Sequence, residues 1–329
     1  MSQKLKIGIA YDVKADYRID ASDWKYSDFS TLCEINFVKD LFEKRGHTVY
    51  LLGNYEKINL ALKSGTFPPV DIVFNTAEGI GSRNREGWIP SLLDINGIPY
   101  SGSDTFALSV SLSKLHTKLI AQYFNIPTPP FFEISSSEDI INAPSIPGPW
   151  ILKPNFEGSS SGVSYVETKQ ALYEQAEHLL TEYNQPLICE SFIHGREANV
   201  SLLFDGDKTK IIGAVEVIRK NRKPLHIFSA VDKFSGTCTK IDAYFSESTL
   251  NSMYKSAIKL HRHLGCKDYS RADFRIDENG HPYFLELNPA PGINEDDSFT
   301  LCCELHNLRM DWVLEQIVFN AINRFQNHS

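Results

Sequence analysis

Four polar side chains near the end of the chain could form a metal and phosphate site. Arg271, Asp273, Glu286 and Asn288 lie in two neighbouring segments, SRADFRIDENG and HPYFLELNPAPG. Acidic residues and a glycine between the segments favour a turn, and the alternating apolar residues on either side predict an antiparallel hairpin. Such a hairpin would hold three oxygen donors and one cation together. Because Mg²⁺ prefers carboxylate and amide oxygens and leaves other positions to water or substrate phosphates, the pattern predicts a metal–nucleotide site.

The sequence around Glu286 distinguishes this site from an ordinary solvated hairpin. In the run LEL, alternation sends the two leucines to the face opposite Glu286, and Asn288 returns to the face of Glu286. An ordinary hairpin with polar side chains in water would account for any one of these residues alone. The four together favour a functional site.

A second candidate segment, WILKPNFEGSSSGVSYV, places Lys153 at the end of a predicted strand and follows it with small residues from Gly158 to Gly162. Backbone N–H groups of such a loop can approach phosphate oxygens without interference from Cβ atoms, and the ammonium adds a point charge. A loop of this composition is also common as a plain turn. Its combination with the hairpin acids favours a phosphate-covering loop.

A third segment, ICESFIHGREANVSLL, carries Glu190 and Glu197 seven positions apart. An extended connector between two lobes can offer backbone groups to an adenine and a carboxylate to a ribose. A plain crossing between domains with solvated acids explains the same residues. Nothing within this stretch decides between the two interpretations.

Strand and helix patterns alternate over residues 1–112, which predicts an α/β domain with a parallel sheet and helices on its faces. A β-branched run at the start leads into the helical pattern FSTLCEINFVKDLFEKRGH, with Gly46 near its end. Further segments complete the pattern: the strands TVYLLG and DIVFNTA, the helix WIPSLLDING and the short strand IPYSGS.

The rest of the chain has a different pattern, which predicts two further domains. A helix at 113–125 ends at the proline-rich IPTPP. From residue 150 onward the sequence is rich in strands, with helices near 168–183 and 246–264. The predicted domain boundaries are 1–112, 113–189 and 190–329.

Composition excludes several classes of protein. The chain has 329 residues, 42% hydrophobic and 22% charged, so it can bury a large core in more than one domain. Its six cysteines are scattered without a Cys-x-x-Cys pair, which argues against a zinc site or a disulfide framework. A net charge of −8 argues against a nucleic-acid partner. With neither a signal segment nor a membrane span evident, we expect a cytoplasmic protein without a membrane partner.

Five segments lie in order along nearly the whole chain: GIPYSGSDTFALSVSLSKLHTK, KPNFEGSSSGV, ESFIHGRE, CKDYSRADFRI and FLELNPAPGI. Together they resemble the D-alanine–D-alanine ligases, which are ATP-grasp carboxylate–amine ligases. The resemblance implies an ATP-grasp fold, α/β with α+β character in its C-terminal half, in which an N-terminal parallel-sheet domain is followed by two lobes that sandwich ATP. It also implies ATP and Mg²⁺ or Mn²⁺ as cofactors, small amino-acid-like substrates and a homodimer.

The same resemblance assigns expected roles to residues of this chain. Lys114 and Lys153 would contact the nucleotide, with Ser159 and Ser160 over the phosphates and Glu197 at the ribose. The adenine would be lined by Glu190, Ser191 and Ile193. The metal ligands would be Asp273, Glu286 and Asn288. The catalytic residues would include Ser159 and Lys233, the second of which, in the segment DKFSG, would contact the γ-phosphate. Arg271 and the backbone at Gly292 would stabilise the oxyanion.

The implied reaction begins when a substrate carboxylate attacks the γ-phosphate, and an amine then displaces phosphate from the acyl phosphate. A carboxylate is a poor acylating agent, so ATP supplies the leaving group. Metal and cations spread the charge of the transferring phosphoryl group. The protein contributes mainly positioning and electrostatics.

The substrate side departs from the resemblance. After NPAPGI this chain continues NEDDSFTLCCEL, so Ser298 falls one position beyond the serine expected to hold the acceptor carboxylate, and three acids precede it. On the donor side, EGIGSRNREG begins at Glu78 and offers Arg83 and Arg85 for bidentate pairing with a carboxylate. Glu34 is the nearest candidate for the donor amine, and Phe234 stands where a tyrosine is common.

Four functions remain open. The first is an ATP-dependent ligase that joins an amino-acid-like carboxylate to an amine, and the second is a genuine D-alanine–D-alanine ligase of cell-wall synthesis. A non-catalytic nucleotide-binding regulatory protein is the third, although such a protein would not need Arg271. The fourth is a kinase-like use of the site that stops at a phosphorylated product.

Overall fold

Three sheets organise the chain in the computed structural model, which describes residues 3–142, 144–205, 208–220 and 237–327. The strands are β1 Lys6–Ala10, β2 Thr48–Gly53, β3 Ile72–Asn75, β4 Phe131–Ile134, β5 Trp150–Pro154, β6 Ser164–Val166, β7 Leu187–Ser191, β8 Gly195–Asp205, β9 Lys208–Arg219, β10 Cys238–Asp242, β11 Tyr269–Asp277 and β12 Pro282–Asn288. The first sheet is parallel, as the sequence predicts, and its strand order is β2-β1-β3. The other two are antiparallel, with orders β4-β7-β5-β6 and β10-β9-β8-β11-β12.

Helices cover the sheets. They are α1 Leu32–Lys44, α2 Tyr55–Ser64, α3 Trp88–Ile95, α4 Thr105–Leu112, α5 Lys114–Tyr123, α6 Ser137–Ile141, α7 Lys169–Tyr183, α8 Glu247–His263, α9 Ser298–Leu305 and α10 Met310–Gln326. Four of them were not predicted from the sequence: α2, α4, α9 and α10. The segment SSSEDI, a serine-then-acid pattern typical of a helix start, does predict α6. The predicted strand IPYSGS is reduced to one bridge between Val73 and Tyr100. Three short 3₁₀ turns lie at Lys14–Tyr17, Trp24–Tyr26 and Arg85–Gly87.

Helix α1 shows how local sequence defines its ends. Thr31 and Glu34 form a capping box in which each side chain accepts a hydrogen bond from the other residue's backbone N–H. Gly46, just past the helix, has φ +85°, a conformation that favours glycine. Between these ends the apolar side chains at three- and four-residue spacing face the sheet.

The last helix packs against the first sheet. Val313, Leu314 and Val318 of α10 share one buried cluster with Ile9 of β1 and Phe74 of β3. A second cluster lies under the five-stranded sheet and includes the apolar face of α8. A third joins α7 to the four-stranded sheet. Nowhere in the described ranges is a helix both long and apolar enough to cross a bilayer.

Candidate active site

The hairpin β11–β12 brings the four predicted residues together. Its register pairs Arg271 with Asn288 and Asp273 with Glu286 across the two strands. Nε and Nη2 of Arg271 each donate to one oxygen of Asp273 at 2.8 Å. This bidentate contact fixes the plane of both groups.

One detail of the alternation prediction is wrong. A register shift between Asp273 and Phe274 places a bulge in β12 at Leu285. As a result Phe284 and Leu287 are the buried pair, whereas Leu285 lines a cavity beside Glu286. The bulge thereby brings Leu285 and Glu286 to the lining of the same cavity.

Asp273 is oriented by two amides as well as by Arg271. Nδ2 of Asn199 on β8 donates to its Oδ1 at 2.7 Å, and Nδ2 of Asn288 lies 3.2 Å from its Oδ2. Ser298 Oγ in turn donates to Asn199 Oδ1 at 2.9 Å. Burial raises the pKa of Asp273 despite the opposing effect of Arg271.

Glu286 has a different electrostatic environment. Its Oε2 lies 3.5 Å from Nζ of Lys114, the first residue of α5, and Nζ of Lys114 also donates to the carbonyl of Glu157. Burial acts to raise the pKa of Glu286, but Lys114, Lys153 and Arg271 together bring it below its ordinary value. The carboxylate therefore stays ionised beside Asp273.

The donor atoms here suit a hard divalent cation. Asp273 and Glu286 oppose each other across the hairpin and Asn288 supplies an amide oxygen nearby. In the described parts of the chain no three His, Cys, Asp or Glu side chains are grouped to hold a metal. One or two carboxylates with substrate phosphates are the usual arrangement for Mg²⁺, so the residues fit a metal that binds together with a nucleotide.

Lys153 and Glu190 face each other on neighbouring strands β5 and β7. Nζ of Lys153 donates to Oε1 of Glu190 at 2.7 Å, and Nζ of Lys118 lies 2.7 Å from Oε2. All three side chains are buried. Burial favours the neutral acid, but the two lysines lower the pKa of Glu190 to about 2.

The small-residue loop between β5 and β6 contains residues with positive φ. Ser159 and Ser160 adopt φ +46° and +59°, and Gly162 has φ +69°. A positive φ at two serines carries strain, and such strain concentrates at functional loops. A Cβ at Gly158 would lie 2.5 Å from Asp28 Oδ2, so the loop passes directly against that carboxylate.

A small cavity of about 100 Å³ lies between the two antiparallel sheets. Arg275 donates from Nε to the carbonyl of Ile193 at 2.8 Å and stacks over the ring of Phe192. Its Nη1 lies 3.5 Å from Oε2 of Glu197. Burial raises the pKa of Glu197 to about 7. The lining includes Lys114, Ile151, Lys153, Ser160, Glu190, Ser191, Phe192, Ile193, Glu197 and Glu286.

A larger cavity of about 290 Å³ adjoins the small one and shares Lys114, Ser160, Glu197 and Glu286 with it. Arg271 also lines it. The two cavities therefore adjoin each other at the hairpin β11–β12, where both are lined by Asp273 and Glu286.

One side of the larger cavity is an acid wall formed by Asp28, Glu78 and Glu86. Burial raises the pKa of Glu86 to about 7 and also raises the pKa of Glu78, and the neighbouring carboxylate of Asp28 acts in the same direction on both. Within the described residues, neither glutamate carboxylate accepts a hydrogen bond. Asp12 at the end of β1 holds the wall in place, since its Oδ2 accepts the backbone N–H groups of Glu78 and Gly79 at 2.9 and 2.8 Å.

Another part of the lining of the larger cavity is the segment that follows β12. Asp297 Oδ2 accepts the backbone N–H of Asn294 at 2.9 Å and lies so close to Gly292 that a Cβ there would be 2.4 Å away. Glu295 and Asp296 are exposed and do not line the cavity. Ser298 lines it, but its hydroxyl is directed to Asn199.

The remaining predicted residues are placed as follows. Glu34 lines the larger cavity, and its Oε1 accepts Nδ2 of Asn294 at 2.9 Å. Arg85 donates from Nη1 to the carbonyl of Phe156 at 2.9 Å, its Nη2 lies 3.9 Å from Oε2 of Glu157, and Arg83 is exposed. Lys233 and Phe234 lie outside the described residues.

Sequence reasoning missed several residues of the site, among them Asp28, Glu86, Lys118 and Asn199. Asp28 precedes α1 and Glu86 lies within the glycine-rich segment EGIGSRNREG, so both were visible as acids in or beside predicted loops. Lys118 and Asn199 carry no such signal, because each finds its partner through the fold, 72 and 74 positions away along the chain.

The chain is similar to known proteins over most of its length. A family profile described as "D-ala D-ala ligase C-terminus" matches residues 120–319. A D-alanine–D-alanine ligase of Aquifex aeolicus is 32% identical over 65% of this chain and 71% of that protein. One of Bordetella avium is 30% identical over 71% of each. The crystal structure of D-alanine–D-alanine ligase from Bacillus anthracis complexed with ATP superposes with a TM-score of 0.76 at 19% identity, covering 99% of this chain and 100% of that one. At that identity the superposition establishes the fold alone, and it confirms the ATP-grasp fold predicted from the sequence.

Proposed function

Because this chain belongs to the D-alanine–D-alanine ligase family and is an ADP-forming ATP-grasp ligase, we propose that it joins an amino-acid-like carboxylate to an amine through an acyl phosphate. The observation that carries this proposal is the pair of adjoining cavities, which share Asp273 and Glu286, with the acid wall lining the larger one. Nucleotide and substrate would meet near this junction, where Arg271 lines the larger cavity.

The small cavity supplies the features that a nucleotide needs. Its apolar floor and the backbone at Ile193 suit an adenine, and Glu197 can accept a ribose hydroxyl. Lys114 and Lys153 lie where phosphates would continue toward the hairpin. The loop at Ser159 and Ser160 can offer backbone N–H groups to those phosphates and exclude water.

Asp273, Glu286 and Asn288 would hold Mg²⁺ or Mn²⁺. When bound, this ion would neutralise charge on the transferring phosphoryl group. Arg271 keeps its guanidinium fixed against Asp273, so its remaining N–H groups are preorganised for developing negative charge. The backbone near Gly292 lines the same part of the larger cavity.

The substrate side supports an amino-acid-like donor. Asp28, Glu78 and Glu86 provide carboxylates that could accept hydrogen bonds from an ammonium group, since the two glutamates accept none within the described residues. An ammonium held there would leave the substrate's carboxylate free to extend toward Arg271. A substrate with additional positive charge would suit this wall better than one with additional negative charge.

A genuine D-alanine–D-alanine ligase is the second candidate, and the two relatives that carry this name favour it. The contact between Ser298 and Asn199 favours a different acceptor, because the hydroxyl expected to hold the acceptor carboxylate is already engaged. Asp297, which lines the larger cavity next to Ser298, adds negative charge where that carboxylate would lie. The homodimer expected from the resemblance remains a prediction.

The first experiment is ADP release by the purified protein with Mg²⁺-ATP and D-alanine, with mass spectrometry of the product. A D-alanyl dipeptide would establish the second candidate. ADP release only with other carboxylate and amine pairs would support the first, and hydroxylamine would trap its acyl phosphate as a hydroxamate. ATP binding without ADP release or hydroxamate, across a broad panel of such pairs, would contradict both candidates in favour of a nucleotide-binding regulatory role.

A further inference from the structure

Glu190 lies between two lysines that differ in what they can reach. Lys153 lines the small cavity, whereas Lys118, on the buried face of α5, has a side chain that is 0% exposed. Both ammonium groups lie 2.7 Å from a Glu190 oxygen, one on each. Lys118 is therefore behind the carboxylate when seen from the cavity.

The net charge of these three side chains determines the charge that a ligand in the cavity meets. Two lysines and one glutamate leave one positive charge in a buried site. Because Lys118 cannot reach the cavity, the charge that a ligand in the cavity meets is that of Lys153. Without Lys118, Glu190 and Lys153 would form a neutral pair facing the ligand.

Lys118 also connects Glu190 to the metal-ligand strand. Its Nζ donates to Thr128 Oγ1 at 2.8 Å, and Thr128 Oγ1 donates to the carbonyl of Phe284 on β12 at 2.9 Å. Phe284 precedes Glu286 by two residues. One chain of contacts thus extends from the four-stranded sheet to the five-stranded sheet.

We propose that Lys118 is a positioning residue for nucleotide binding, which neutralises Glu190 from behind so that Lys153 keeps a net positive charge toward the nucleotide phosphates. The inference rests on the nucleotide role proposed above for the small cavity. Lys118 itself touches neither nucleotide nor substrate.

The test is ATP binding measured by calorimetry in four proteins: the wild type, Lys118→Met, Glu190→Gln and the double variant. Binding needs no knowledge of the other substrates. With Glu190 in place we expect Lys118→Met to weaken ATP binding by roughly tenfold or more, since a charged buried contact is lost. In the Glu190→Gln background the same change should have an effect below about twofold, because no carboxylate remains to be neutralised.

The exposed Lys255→Met on α8 is the matched control and should bind ATP like the wild type. An equal effect of Lys118→Met in both backgrounds would overturn the proposal in favour of a packing role. If Lys118→Met does not fold, Lys118→Gln, which keeps a hydrogen-bond donor for Thr128, replaces it in the same cycle. Failure of the wild type to bind ATP would instead contradict the proposed function.

Once a substrate pair is known, kinetics provide a second readout. Lys118→Met should raise the KM for ATP and leave kcat at saturating ATP within about twofold, because the substituted group acts on binding alone. A fall in kcat with unchanged KM would contradict the proposed role.

Discussion

Asn199 and Asp273 face each other directly across β8 and β11, and the amide Nδ2 of Asn199 donates to Oδ1 of Asp273 at 2.7 Å. Ser298 Oγ donates to the other end of the same amide. This orientation of the amide leaves Asn199 a donor toward Asp273. Ser298 therefore acts on the proposed metal site through Asn199.

Ser298→Ala should consequently change the metal requirement more than the affinity for the amine. Loss of one buried hydrogen bond costs about 1 kcal/mol and frees the Asn199 amide to rotate. We expect a higher Mg²⁺ concentration for half-maximal ADP release, at an unchanged KM for the amine. Ser64→Ala, which removes an exposed hydroxyl, is the control. An increase confined to the KM for the amine would show that Ser298 binds the substrate.

Arg271→Lys should lower ADP formation on the order of 10²–10³-fold, the usual effect of losing one preorganised donor to a developing oxyanion. Lysine keeps the charge but lacks the planar fork that contacts both oxygens of Asp273. Nucleotide binding, measured by calorimetry, should persist. Arg262→Lys on the exposed face of α8 should have wild-type activity. Full activity of Arg271→Lys would exclude a role for the guanidinium geometry.

Asp28→Asn tests the acid wall. Removing this carboxylate should raise the KM of the amino-acid substrate roughly tenfold, since hydrogen bonds between charged groups are worth about 1.5–3 kcal/mol. The KM for ATP should change less than the KM for the substrate. Asp40→Asn on the exposed face of α1 is the matched control. Equal increases in both KM values would mean that Asp28 acts mainly through the loop at Gly158, which it contacts.

Glu86→Gln should stabilise the protein at alkaline pH. Burial, with a further contribution from Asp28, raises the pKa of Glu86 from 4.5 to about 7 against the opposing effect of Arg85. Between these values the folded state binds more protons at Glu86 than the unfolded state does, so stability decreases as the pH rises through this window. Glutamine has no such titration.

Thermal unfolding of Glu86→Gln and wild type should therefore give a higher Tm for the variant at pH 8 and similar values at pH 4. The exposed Glu174→Gln should show no such difference between the two pH values. A variant that is less stable than the wild type at pH 8 would indicate that the ionised carboxylate has a stabilising partner.

The hairpin that carries Asp273 and Glu286 could be predicted because its two strands are neighbours in sequence and one turn sets their register. The bulge at Leu285 could not, because alternation assumes an unbroken pleat. Arg85 was predicted to face the substrate, but the 3₁₀ turn that begins at Arg85 directs it to the Phe156 carbonyl. Loop conformation is set by contacts that the local sequence does not encode.

The helices show a different kind of limit. Apolar residues of α10 recur at positions 310, 313, 314, 317, 318 and 321, a helical period that was readable in the sequence. Its partner was not readable, since the helix packs against strands near the opposite end of the chain. The helical period of the apolar residues predicts that a helix exists, but only the fold shows which sheet the helix covers.

The contact of α10 with β1 and β3 bears on when the first sheet can fold during synthesis of the chain. Side chains from the last helix complete the apolar layer of the first sheet. Arg324 of that helix also forms an ion pair with Asp268 at 2.9 Å, and the carboxylate of Asp268 accepts the backbone N–H of Gly102. A growing chain in which α10 has not yet been made lacks that part of the layer. The sheet formed by β1, β2 and β3 therefore completes its buried core only after α10 has been synthesised.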